Sequence, residues 1–142
     1  DRMKMGAEHR VPLSRQALAV LTAQQQLAGA RELVFPSPHY PGKSISENTF
    51  NSALARMGYK GIATAHGFRA VFSTIANEAG WNGDVIERQL AHIERNKVRA
   101  AYHRSTYTAE RVRLMQLWAD LLDQRRTGGN VVPLPQRASG GG

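Results

Sequence analysis

The stretch Leu90-Ala-His-Ile-Glu-Arg-Asn-Lys-Val-Arg-Ala-Ala-Tyr102 sets two protic side chains, His92 and Tyr102, ten residues apart and fills the interval with cations. It follows the apolar positions of Val85 to Ala91, and Asn96 within it is a residue type whose side chain accepts from the first free N–H groups of a helix. The sequence therefore predicts a short helix ending near Leu90, a break at His92, and a new helix from Asn96 that carries Tyr102. Taken singly, Tyr102 is more readily a packed aromatic with a satisfied hydroxyl than a nucleophile.

Helical signals continue in both directions. Downstream, Thr108 can cap a long helix with Val112, Met115, Trp118 and Leu122 inward, and the Gly-rich chain from Thr127 cannot extend it. Upstream, Asp84 and Glu87 have capping-box spacing for the short helix. Before it, Phe68, Phe72 and Ile75 recur at helical spacing up to Gly80. Ser46 can cap a helix with Phe50, Leu54 and Met57 inward, ended by Gly58, and the three prolines of Pro36 to Lys43 require a loop. Ser14 can cap a helix to about Ala28, with Leu18, Leu21 and Leu27 near one face and Gly29 as its stop. Arg2 to Met5 and His9 to Leu13 read as two strand arms around Gly6 to Glu8. The expected fold class is α+β and mainly α-helical, with a small β-hairpin near the N-terminus. Residues 1–126 are expected to form the domain and residues 127–142 a flexible tail.

Composition narrows the partner. The 142 residues suit one domain, and 19 Lys and Arg against 11 Asp and Glu leave a net charge of +8 spread along the chain. With an isoelectric point near 10.6, that balance points to a polyanion, because each neutralised phosphate releases condensed counterions. The chain has no cysteine, which excludes disulfides, thiolate metal sites and thiol nucleophiles. No apolar run approaches the roughly 20 residues of a membrane span, and no signal-peptide pattern opens the sequence, so a cytoplasmic location is expected.

Two further places carry chemistry. In His66-Gly-Phe-Arg69 the His and Arg are three apart, so on a helix they share a face and can address one phosphoryl group. Lys4 flanks the expected turn. Each of these is, by itself, an ordinary solvated side chain. A zinc reading through His66, His92 and His103 lacks ligand spacing, and no metal or other cofactor is expected. His9, His39 and His103 receive no role.

Together and in this order, Lys4 seven residues before Val11-Pro-Leu13, His66-x-x-Arg69, His92 and Tyr102 resemble the tyrosine recombinase family of phage and prophage integrases. The Leu90 to Tyr102 stretch looks like the prophage branch related to satellite-phage enzymes, and the resemblance runs from about Arg2 to Asp123. It departs from the commoner pattern in having Ala91-His92 in place of Gly-His and ten residues, not nine, to the tyrosine, which leaves Tyr107 as a rival nucleophile.

The resemblance implies a tyrosine recombinase catalytic domain that integrates or excises a mobile element through a 3′-phosphotyrosine. Tyr102 would be the nucleophile, Arg69 and a first arginine upstream of Lys4 would hold the phosphate, and His92 would add a hydrogen bond to it. Lys4 would protonate the leaving 5′-hydroxyl, with His66 assisting proton transfer. Without the upstream arginine the segment alone would be a poor catalyst. Its partners would be double-stranded DNA attachment sites, sister subunits in a homotetramer and DNA-bending accessory proteins, with no membrane involved. Lys43, Lys97, Arg99 and Arg104 are candidate backbone-phosphate contacts, and Val131-Val-Pro-Leu-Pro135 is a candidate segment for docking on a neighbouring subunit. The competing readings are a basic helical remnant that only binds DNA and a type IB topoisomerase-like relaxer. The Leu90 to Tyr102 stretch argues against the second of these.

Overall fold

A computed structural model describes residues 9–29, 31–40, 42–46, 48–92 and 106–128. The chain divides into two compact units, one of residues 9–14 with the chain from Phe72 onward, the other of Arg15–Val71.

The Arg15–Val71 unit opens with α1 (Arg15–Ala28), which ends where Gly29 turns into the left-handed region at φ 68°. Its leucines do not form one inward face: nine positions at 100° each put Leu27 opposite Leu18, and Leu27 is 83% exposed. Only Ala28 is buried. The proline-rich loop is closed by an antiparallel bridge between Pro36 and Ser44, with Ser37 N donating to the Lys43 carbonyl at 2.7 Å and Ile45 N to the Phe35 carbonyl at 3.1 Å. Phe35 meets Phe50 edge to face at 6.1 Å. Next comes α2 (Thr49–Leu54), capped at Asn48 and so two residues later than the Ser46 cap predicts. The Ser46 hydroxyl is engaged with that of Thr49 at 3.0 Å. The chain widens through Ala55–Tyr59, and Gly58 leaves helical geometry at φ 89°. That break, together with the exposure of Phe50 and Met57, removes the inward stripe expected there.

α3 (Ala65–Glu78) gives its first turns to this unit and its later turns to the other. In that other unit Phe72 and Ala76 of α3, Val85, Ile86 and Leu90 in and beside α4 (Gly83–Gln89), and Leu114 of α5 (Thr108–Arg126) form the core. Trp118 closes edge to face on Phe72 at 5.3 Å. Phe68 lies one turn outside this core and is 56% exposed, contrary to its expected inward position. α3 stops in a Schellman arrangement: Gly80 at φ 74°, its N–H on the Asn77 carbonyl, and Trp81 N on the Ala76 carbonyl. α4 is capped by Asn82, whose side chain accepts from Asp84 N at 2.9 Å, and not by Asp84 itself.

The buried side of α5 carries Arg111, Leu114, Ala119 and Leu121, with Met115 and Trp118 half-buried beside the core. Val112 and Leu122, expected inward, remain 49% exposed. The stripe is displaced because Arg111 occupies it. α5 ends at Arg126, where Thr127 returns its hydroxyl to the Asp123 carbonyl. Among the described residues no strand forms. His9 to Leu13 forms no strand: Pro12 has no N–H to give a ladder, and the Arg10 carbonyl accepts from the Arg111 guanidinium. The first expected arm, Arg2 to Met5, lies outside the described residues, as do the Asn96 helix and the tail beyond Gly128. Among the described residues no helix is long and apolar enough to cross a membrane.

Candidate functional site

His66 and Arg69 stand in the first turns of α3, both exposed. Three neighbours fix that helix start. Thr64 caps it through Oγ1, which accepts from Gly67 N at 2.9 Å. Asn51 of α2 accepts from Ala65 N at 2.9 Å, so a second element anchors the same end. Gly67 has a steric reason to lack a side chain: a Cβ there would come within 3.2 Å of the Thr64 hydroxyl. With these first-turn N–H groups already satisfied, an anion approaching this helix end would be met mainly by the side chains of His66 and Arg69.

His92 belongs to the other unit. It follows a second Schellman ending, in which Ala91 adopts φ 54°, Ala91 N reaches the Arg88 carbonyl and His92 N donates to the Glu87 carbonyl at 3.0 Å. The Glu87 carboxylate also takes the His92 ring, Nδ1 to Oε2 at 2.6 Å. One residue therefore holds both the backbone and the imidazole of His92. A carboxylate accepts, so the hydrogen of that bond is on Nδ1, and Nε2 is the ring nitrogen left outside it.

Arg111 was not anticipated from sequence. Only 3% exposed, its guanidinium donates from Nε to Gln89 Oε1 at 2.9 Å, from Nη2 to the Arg10 carbonyl at 2.6 Å, and from Nη1 to the Thr106 carbonyl at 3.4 Å. Burial, and then Arg88, lower its pKa, yet a guanidinium stays protonated in proteins. Burial, Arg111 and Arg88 together push His9 below the usual histidine value, against a backbone hydrogen bond with Gln89 that raises it.

Of the residues predicted from sequence, the structure brings His66 and Arg69 onto one helix face and seats His92 on Glu87. Lys43 is exposed in the proline-rich loop, its Nζ 5.7 Å from the Tyr40 ring centroid. Tyr107, the rival nucleophile, sits at φ 47° before α5 with its ring packed against the core. Lys4, Lys97, Arg99, Tyr102 and Arg104 lie outside the described residues. Sequence reasoning missed Thr64, Asn51, Glu87 and Arg111. The Thr64-x-x-Gly67 spacing was a usable signal, whereas the pairings of Asn51, Glu87 and Arg111 depend on how the chain folds back.

Residues 1–109 match the model of the phage integrase family. The chain is 46% identical over 131 residues to the prophage integrase IntA of Escherichia coli K12, covering 92% of this chain and 32% of that protein. It is 52% identical over 128 residues to the integrase of Enterobacteria phage P4, covering 87% of this chain and 29% of that protein. To the integrase of Shigella phage Sf6 it is 40% identical over 124 residues, 87% of this chain and 32% of that protein. The chain thus spans about a third of the length of these relatives. No solved structure matches it significantly. A family model that covers most of the chain, and relatives that match nearly all of it, establish that this chain belongs to the phage integrase family.

Proposed function

We propose that this chain is the catalytic part of a tyrosine recombinase that joins and releases a mobile element at double-stranded DNA attachment sites. The observation that carries the reading is His92 held through backbone and ring by Glu87, in a chain that also keeps Lys4, His66, Arg69 and Tyr102 in the family's order.

Tyr102 Oη attacks phosphorus, and the P–O5′ bond breaks to give a 3′-phosphotyrosine and a free 5′-hydroxyl. A phenol titrates near pH 10, so its proton must be drawn off, and His66 assists there. Arg69, with the arginine that the resemblance puts upstream of Lys4, neutralises the non-bridging oxygens as charge builds in the transition state. His92 adds a hydrogen bond to the same phosphate, its ring held through Nδ1 by the Glu87 carboxylate. Lys4 gives its proton to the departing O5′. Attack by another 5′-hydroxyl on the phosphotyrosine reverses each step, so no bond energy is lost and no nucleotide is consumed. Packing of Tyr107 against the core supports Tyr102 as the nucleophile.

Residues 1–126 act as the catalytic domain and residues 127–142 as a tail that docks on a sister subunit in a homotetramer. Lys43, Lys97, Arg99 and Arg104 contact backbone phosphates, and accessory proteins bend the DNA.

The test is covalent trapping. This chain is joined to the upstream two-thirds of the phage P4 integrase and incubated with nicked suicide DNA, followed by denaturing electrophoresis and peptide mapping. An adduct on Tyr102 that Tyr102→Phe abolishes is the expected result. DNA binding with no adduct on any tyrosine would instead favour the non-catalytic DNA-binding remnant.

A further inference from the structure

We propose that Arg111 is a positioning residue for strand cleavage: its buried guanidinium ties together the three chain segments that lead to Lys4, His92 and Tyr102. The inference rests on the recombinase reading above and adds to it a residue that touches none of the reacting atoms.

The geometry is specific. The Nη2 bond ends on Arg10, six residues after Lys4. The Nε bond ends on Gln89, three residues before His92, and the Nη1 bond ends on Thr106, four residues after Tyr102. Gln89 and Thr106 bracket the stretch that contains Tyr102, so one rigid fork holds both ends of that stretch to a single point and fixes the separation it must span. Restraining both ends of a chain segment lowers the number of conformations open to what lies between them, and a cleavage rate gains when a nucleophile is held near its attack geometry. The contact with Arg10 spans 101 positions of sequence and brings the chain six residues after Lys4 to the same point.

The choice of residue also needs explanation. These three acceptors are neutral oxygens, so none of these partners is an acid that offsets the desolvation of the guanidinium. An apolar side chain would fill the volume without that penalty, but it could not bond three divergent acceptors. A planar group with five donors can.

The test uses two variants. Arg111→Lys keeps the charge and most of the volume but loses the fork, whereas Gln89→Glu keeps an acceptor for Nε. Hydrogen exchange on the 142-residue chain is expected to rise about ten-fold in Arg111→Lys for amides of residues 9–14, 88–92 and 106–110 together, with α1 and α2 unchanged. Gln89→Glu should stay within about two-fold of the parent. In the P4 chimera, Arg111→Lys should slow single-turnover adduct formation at saturating DNA by about ten-fold or more, while the DNA concentration for half-saturation shifts less than about two-fold. Gln89→Glu should keep the parent rate.

Faster exchange confined to α5, an unchanged cleavage rate, or a loss that merely follows DNA affinity or the unfolded fraction would each overturn the proposal. A parent chimera that forms no adduct would sink the recombinase reading and the catalytic purpose of the tether with it. The exchange pattern reports on the tether alone, so the two failures are distinguishable.

Discussion

Ala91 holds a left-handed backbone, φ 54°, at the end of α4, where its N–H and that of His92 close the last turn. The side chain crowds the carbonyl in that conformation, which glycine avoids. Ala91→Gly should therefore raise stability by about 0.5–1 kcal/mol, read as an increase in the midpoint of thermal unfolding; a lower midpoint would show that the strain is absent. The commoner Gly-His pattern of the family is explained by the same requirement, and Ala91 departs from it at an energetic cost without moving His92 off Glu87. His92 and Ala91 were legible as a motif. Glu87 was not, because its five-residue separation from His92 is no regular helical pairing and exists only because the helix ends between them.

α5 shows how a helix chooses its buried face. Apolar periodicity favoured Val112, Met115, Trp118 and Leu122, but the core is met by Leu114, with Met115 and Trp118 beside it, because Arg111 bonds inward and fixes the rotation of the helix. The consequence is measurable. Leu114→Ala, at a fully buried position, should cost about 2–5 kcal/mol in chemical denaturation. Leu122→Ala, at a position the sequence rated equal, should cost less than about 1 kcal/mol. Equal losses would restore the stripe expected from sequence. The same lesson holds for α1, whose length and Gly29 stop were predicted to the residue while its leucine face was not.

At the scale of the molecule, a charge of +8 with no clustering into one tail predicts DNA affinity that is steeply salt-dependent. For the P4 chimera on attachment-site DNA, the logarithm of affinity should fall linearly with the logarithm of salt concentration, and Lys43→Ala should reduce the slope by about one. An unchanged slope would remove Lys43 from the phosphate contacts. Helix starts and stops around Ala28, Gly80 and Arg126, the paired exposure of His66 and Arg69, and the family itself were all decided by sequence, since caps, glycines and three-residue spacings act within a turn or two of chain. The tertiary structure alone decided that Phe68, Val112 and Leu122 stay exposed, that the second N-terminal arm pairs with a guanidinium in place of a strand, and that Gln89, Thr106 and Arg10 meet at Arg111. Burial and polar satisfaction are settled by partners up to 101 residues away, and no local pattern encodes which partner arrives.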